Sequence, residues 1–290
     1  MKICALILNY FGADDTIACV RQLCSQPLEH VCVVDNSADQ SETARLSRAF
    51  AGISKVGLLA TGENAGFAAG VNHGLRSLGQ SDFDAVLVLN NDTVITDGFV
   101  ETLADGACAA DLQIAGARIH CYPDTDRLWS RGSFYNAWLG LVTNRPLRLP
   151  GTVFYITGCC MLIRRAVFDT IGLFDEGFFM YGEDVEFCAR ASRAGLKTGV
   201  VDDALLFHKT SASSINNSPF YEQQVIRAHL LLSQRLPERP GAQTLSLCAK
   251  LPVLCLRALV RTLRFGNLRA LKALCREMCR NDTRKRQPER

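Results

Sequence analysis

Three short acidic segments hold the residue types from which chemistry could be built: Asp35-Asn36-Ser37, Asn90-Asn91-Asp92-Thr93 and Gly182-Glu183-Asp184-Val185-Glu186. Asp92 stands just past an apolar run, where a lone carboxylate can hold a hard divalent cation. Mg²⁺ or Mn²⁺ takes oxygen ligands, often only one or two from protein, with phosphates and water completing the shell. The same Asn-Asn-Asp residues equally suit a turn closed by their own side chains. Asp35 can accept a hydrogen bond from a base N–H or a ribose hydroxyl, or it can serve a turn or a helix cap. Around Asp184 the chain is crowded with aromatics, including Phe178, Phe179 and Tyr181. An apolar surround disfavours the charged carboxylate and makes it a competent base. Capping of the following helix is the plainer role for Asp184. Glu186 and Arg190, four apart, read as a surface pair.

Two further features lie outside these segments. Gly62-Glu63-Asn64-Ala65-Gly66-Phe67-Ala68-Ala69-Gly70 reads as a strand-to-helix turn whose N–H groups could face phosphate or ribose. Its glycines recur every fourth residue, which is neither dinucleotide nor P-loop spacing, and close helix–sheet packing is their simplest use. His208-Lys209-Thr210-Ser211 ends the last predicted strand, where His208 is either structural or a ligand for metal or phosphate.

Positioning these residues requires an alternating architecture. Apolar runs at residues 2–8, 31–34, 55–59 and 85–89 read as buried strands. Helical patterns at about 14–25, 41–50 and 66–78 fall between them. Such alternation implies a parallel sheet covered by helices on both faces, with ligands beyond the carboxyl ends of the strands. Those ends carry Asn9, Asp35-Asn36, Glu63-Asn64 and Asn90-Asn91-Asp92. After Asp97 the alternation weakens. Residues 116–122, 152–163, 198–201 and 204–207 read as strands, with a long irregular stretch carrying Trp129 and Trp138. Asp184 is expected to open a helix ending near Gly195.

The 290 residues are 48% hydrophobic and 21% charged, enough for a sizeable core. Charge is uneven: from Arg235 onward, 14 Lys/Arg stand against 4 Asp/Glu, so a basic tail follows an acidic body. Thirteen cysteines, an odd number without CxxC spacing, favour a reducing compartment. The apolar N-terminal stretch is too short for a secretory signal, and no run of about 18 uncharged apolar residues occurs. The expected location is cytoplasmic.

Taken in order, residues 5–10, 33–37, 63–74, 89–93, 157–165 and 182–190 resemble the inverting GT-A enzymes of glycosyltransferase family 2, and their rhamnosyltransferase-like branch in particular. The resemblance runs from Met1 to about Ser214. It implies a GT-A fold of the α/β class, with a Rossmann-like, mostly parallel central sheet flanked by helices. Residues 1–215 would form the catalytic domain and 216–290 a C-terminal helical extension. By the same resemblance, Asp35 would bind the nucleotide base, with Asn9 and Tyr10 lining that pocket. Asn36, Glu63, Asn64, Gly66, Asn91 and Glu183 would complete the nucleotide-sugar site. Asp92 would be the metal-binding acid of a DxD-like motif whose first acid is here Asn90, and His208 the late metal- or diphosphate-contacting position. Gly158 would keep the acceptor-side floor open, and Asp184 would be the catalytic base. The implied reaction is single-displacement transfer of a sugar, L-rhamnose from dTDP-L-rhamnose, to a saccharide or lipid-linked saccharide in bacterial surface polysaccharide synthesis. A UDP-sugar donor fits Asp35 equally well. A sugar-1-phosphate nucleotidyltransferase is the rival, yet Asn9-Tyr10-Phe11-Gly12 lacks the basic residues of its phosphate loop; a non-catalytic sugar-binding protein would have no use for a base.

In the tail, Arg257, Arg261, Arg264, Arg269, Lys272, Arg276 and Arg280 fall on one helical face, and Leu256, Leu259, Leu263, Leu271 and Leu274 on another. Gly266-Asn267 breaks the segment. A basic amphipathic helix suits an anionic membrane surface, placing the chain on the inner face of the cytoplasmic membrane; a helical pair packed on the domain is the alternative. Nucleic acid is not an expected partner, given the acidic body.

Overall fold

The computed structural model describes residues 1–79, 82–209 and 218–284. Its first half follows the expected alternation: β1 (Ile3–Asn9), α1 (Ala13–Cys24), β2 (His30–Asp35), α2 (Gln40–Phe50), β3 (Val56–Ala60), α3 (Gly66–Leu78) and β4 (Ala85–Asn90). There follow β5 (Thr93–Ile95), α4 (Phe99–Ala109), β6 (Ile114–Cys121), β7 (Leu128–Ser130), β8 (Ser133–Asn136), β9 (Val142–Thr143), β10 (Thr152–Tyr155) and β11 (Cys160–Arg164). The chain continues with α5 (Arg165–Ile171), α6 (Glu183–Arg193), β12 (Thr198–His208), α7 (Pro219–Arg235), α8 (Ala242–Phe265) and α9 (Arg269–Arg284).

The main sheet has the order β3-β2-β1-β4-β11-β6-β12-β5, with β7 beside β6. Strands β1 to β4 pair in parallel, and β12 is parallel to β6. Only β11, β5 and β7 run against them. Central β1 shows why its sequence is continuously apolar. Ile3, Ala5 and Ile7 join the core under α1, α2 and α4, while Cys4 and Leu6 join the core under α3 and α6. Gly70 and Gly74 of α3 do the expected packing work: a Cβ on either would lie 2.6 Å from a leucine methyl of β1. Gly12 holds the N-cap position of α1, and Asp14 and Asp15 sit in its first turn.

Several expectations change. Residues 152–163 are not one strand: β10 belongs to a second sheet, β10-β8-β9, and β11 to the main one. The chain switches sheets across Thr157-Gly158-Cys159. The expected pair 198–201 and 204–207 is one strand, β12, with an irregularity between Val201 and Leu205. The stretch that reads as irregular holds β7, β8 and β9, which are too short to carry a periodic apolar signal. The expected domain boundary at 215/216, with Thr210 and Ser211, lies outside the described residues.

The C-terminal helices form a bundle of their own that also packs on the α/β body. Ile226 and Leu230 of α7 meet Leu254 and Ala258 of α8 and Ala270, Ala273 and Leu274 of α9. Leu232 and Leu236, on the other side of α7, meet Tyr135, Phe178, Val185 and Ala189. The tail's faces differ from the sequence expectation. Arg257 and Arg261 turn inward and bind the fully buried Glu222 of α7. Leu256, Leu259, Val260 and Leu263 are exposed, so the outer face of α8 is largely apolar, with the exposed Arg264 near its end. By length and composition alone α8 could cross a membrane, although it carries charges and its inner face holds Lys250, Arg257 and Arg261 against α7.

Candidate active site

The parallel strands deliver their carboxyl ends to one rim. Register pairs Asn9 at the end of β1 with Asp35 at the end of β2. Asn9 is fully buried; its Nδ2 donates to Asp35 Oδ1 at 3.1 Å and to Glu42 Oε1 at 3.1 Å, and its Oδ1 accepts from Thr16 at 2.7 Å. Asp35 is 1% exposed and also accepts from the Ser37 N–H and the Thr43 hydroxyl. The residues that follow Asn9 are, by contrast, accessible and aromatic. Tyr10 and Phe11 are 45% and 58% exposed, their rings 5.0 Å apart.

The glycine-rich turn is tied to the same rim by Asn36. Its Nδ2 donates to Asn64 Oδ1 (3.2 Å) and Gly66 O (3.1 Å), and its Oδ1 accepts from the Ala65 N–H (3.1 Å). Gly66 has φ +83°, and a Cβ there would lie 2.3 Å from the Phe179 carbonyl oxygen. Only glycine lets the start of α3 touch the loop that precedes Asp184. Glu63 and Asn64 themselves are exposed. Asn91 reaches back to Thr16 Oγ1 at 2.9 Å, fixing the turn after β4 to α1.

Asp92 and His208 meet because β12 pairs with β5, placing His208 opposite Thr93. Asp92 Oδ1 lies 3.1 Å from His208 Nε2, both side chains nearly buried, and Trp129 packs 4.6 Å from the imidazole. Two donors at that separation suit adjacent positions around a cation with ligand distances of about 2.1 Å. Among the described residues no three His, Cys, Asp or Glu side chains cluster as a metal site. The pair therefore fits a cation whose other ligands come from phosphate and water. Lys209, ion-paired to Asp15 at 2.7 Å, adds a cation beside it.

Asp184 does not cap its helix. Gly182, at φ +91°, holds that position, and Glu183 and Asp184 occupy the first turn of α6. Asp184 Oδ1 accepts from the Val185 N–H at 2.8 Å and Oδ2 from the Gly158 N–H at 3.3 Å. Burial pushes both carboxyls above the usual range, and the charge of Asp184 raises Glu183 further. The two N–H donors hold Asp184 down, so Asp184 ionises first while the buried Glu183 keeps its proton. Glu186 and Arg190 are not a surface pair: Glu186 is buried, 2.7 Å from Arg190, which also donates to the Leu173 carbonyl at 2.8 Å. The pair fastens α6 to the preceding loop.

A cavity of about 690 Å³ joins the two centres. Asn90 and His208 lie at one end, Gly158, Glu183 and Asp184 along its floor, and Tyr221, His229 and Arg257 of the C-terminal helices at the other. A Cβ on Gly158 would come within 3.0 Å of Phe67, narrowing that floor. The Asn9, Tyr10 and Asp35 group lies outside the cavity, further along the rim. Residues that sequence reading missed here are Trp129, Tyr155, Tyr221 and Arg257. A tryptophan in an otherwise polar stretch was the one available signal.

The family model described as Glycosyl transferase family 2 matches residues 4–172. The chain is 30% identical to the low-salt glycan biosynthesis hexosyltransferase Agl10 of Haloferax volcanii, across 67% of this chain and 62% of that protein. It is also 30% identical to an N-acetylglucosaminyl-diphospho-decaprenol L-rhamnosyltransferase of Mycobacterium tuberculosis, across 63% of this chain and 67% of that one. The chain thus matches under two thirds of the Haloferax protein's length. Its fold superposes on the crystal structure of GalNAc-T7 with UDP, GalNAc and Mn²⁺ at a TM-score of 0.62 and 14% identity, covering 79% of this chain and 47% of that one. With its GT-A fold, this chain belongs to glycosyltransferase family 2.

Proposed function

We propose that the chain is an inverting hexosyltransferase that moves L-rhamnose from dTDP-L-rhamnose to a saccharide, and most specifically to a lipid-linked saccharide, in surface polysaccharide assembly. The observation that carries this reading is the shared cavity: Asp184, whose carboxyl burial raises above the usual range, lines the same space as His208, the partner of Asp92. The mycobacterial relative is named for rhamnosyl transfer to a diphospho-decaprenol acceptor, which supports both donor and acceptor class.

In this reading the donor nucleotide lies along the ends of β1 and β2, its base against Tyr10. Asp35 and Asn9 form the polar floor, Asn36, Asn64 and Gly66 hold the adjoining turn, and Glu63 and Asn91 border the diphosphate path. Asp92 and His208 would hold Mg²⁺ or Mn²⁺, whose chemistry is to offset charge developing on the departing diphosphate. GalNAc-T7, of the same fold, holds Mn²⁺ and UDP. Lacking an acid at Asn90, the site would depend on the donor's own phosphates for further ligands. Asp184 Oδ2 removes the acceptor hydroxyl proton as that oxygen attacks the anomeric carbon from the face opposite the leaving group. One displacement inverts the centre and needs no covalent enzyme intermediate.

The enzyme would work at the cytoplasmic membrane surface as a peripheral protein. The exposed stripe Leu256, Leu259, Val260 and Leu263 supplies an apolar face, and the exposed Lys272 and Arg276 of α9 supply attraction for anionic lipid. A turnover screen of dTDP- and UDP-sugars with Mg²⁺ or Mn²⁺ tests the donor assignment. Selective, cation-dependent consumption of dTDP-L-rhamnose is expected; consumption of none, or preference for a UDP-sugar, would overturn it.

A further inference from the structure

The cavity is charged differently on its floor and on its far wall. Its floor carries Glu183 and Asp184. Its far wall, built by α7 and α8, is basic: Glu222, fully buried, faces both Arg257 and Arg261, so one carboxylate meets two guanidinium groups. Two turns earlier on α8, Lys250 is fully buried and donates only to the His229 carbonyl at 3.3 Å. Arg257 alone of these cations lines the cavity. It gives Nη1 to Glu222 Oε2 at 2.9 Å and is 22% exposed, and its other donors meet no protein acceptor among the described residues. The rest of the lining is largely apolar and aromatic, with Val142, Tyr155, Val225, Leu232 and Val253.

We infer that Arg257 is the acceptor-phosphate contact, binding the phosphate ester on which the acceptor saccharide is carried while the sugar's hydroxyl reaches Asp184. The inference rests on reading the cavity as the acceptor site of a transferase. A guanidinium with spare donors in a desolvated wall recognises phosphate by charge-assisted, paired hydrogen bonds. The apolar walls on either side suit an acceptor that also bears hydrocarbon. The wall belongs to residues beyond the family-matched segment 4–172, so the extension chooses the acceptor rather than merely anchoring the chain. Arg261 is the internal control, because it shares Glu222 but does not line the cavity. It also keeps Glu222 paired when Arg257 is replaced, so Arg257→Gln is expected to fold.

Calorimetric titration of the full-length protein tests this, with EDTA present so that cation-dependent diphosphate binding near Asp92 does not contribute. The probes are farnesyl diphosphate, inorganic pyrophosphate and farnesol. Arg257→Gln should weaken farnesyl diphosphate binding at least ~10-fold, while Arg261→Gln and the wild type bind alike and farnesol binding is unchanged by either substitution. Tighter binding of farnesyl diphosphate than of pyrophosphate assigns the site to a lipid-borne ester; equal binding with the same Arg257 dependence assigns it to a soluble one. No binding of either phosphate by the wild type, or equal losses in both arginine variants, overturns the proposal. Because no donor or turnover enters this measurement, its failure is separable from failure of the donor screen.

Discussion

Replacing Lys250 with methionine should stabilise the protein at neutral pH and leave it nearly unchanged at pH 10.5. Lys250 is fully buried beneath Gly140, with its Nζ 5.3 Å from the Tyr135 ring centre. Burial lowers its pKa from 10.5 to about 7. Between those values the unfolded chain holds a proton that the folded chain does not. Stability from this group therefore rises with pH, by about 1.4 kcal/mol per unit, and the full penalty stands below pH 7. Integrated from pH 10.5 down to pH 7 this amounts to about 4–5 kcal/mol, less about 1 kcal/mol for the lost bond to the His229 carbonyl. Methionine keeps the unbranched packing and removes the ionisation. Urea unfolding of both proteins at pH 7 and pH 10.5 measures the difference, and other titrating groups cancel in the comparison. A gain of about 2–4 kcal/mol at pH 7 that vanishes at pH 10.5 is expected. The same ΔΔG at both values, or a loss at pH 7, would refute the buried-amine account of how α8 joins α7.

Asp92→Ala should abolish the difference in donor turnover between Mg²⁺ and EDTA while leaving the fold intact; a variant still stimulated by Mg²⁺ would move the cation elsewhere. Leu256→Glu with Leu263→Glu should weaken binding to anionic liposomes about 10–100-fold, as measured by co-sedimentation, and unaltered binding would remove α8 from the membrane contact. The acidic limb of kcat/KM should fall at a pH well above the ordinary aspartate value. Burial raises Asp184, and only its carboxylate form can take the proton, so activity is lost as pH drops through that raised value. An acidic limb at the unperturbed aspartate position would mean Asp184 is solvated in the working enzyme.

The catalytic body was legible because its strands are buried on both faces. Continuous apolar runs such as Cys4–Leu8 in β1, broken by Asn9, announce both a strand and the rim residue that follows it. Asp35, Asn90-Asn91-Asp92 and His208 could be placed on one edge from that rule alone. The pairing of Asp92 with His208 could not, since it depends on β12 lying between β6 and β5 after long connections. Nor could the sequence show that Asp35 is buried while Tyr10 is exposed, because burial at a strand end is set by the neighbouring helices. The second sheet left no periodic signal because β8 and β9 are only four and two residues long. On α8 the helical period separated arginines from leucines correctly, but which face meets solvent was decided by Glu222, a single buried acid on another helix.

The central claim is that Asp184 is the base, and Asp184→Asn tests it most directly. The amide keeps the size and can still accept from the Gly158 N–H, but it cannot take a proton. Transfer to acceptor should fall about 10²–10⁴-fold, while the Kd for the nucleotide-sugar donor, measured by calorimetry on the same preparation, stays within about threefold of wild type. Transfer near the wild-type rate with donor binding intact would contradict the account.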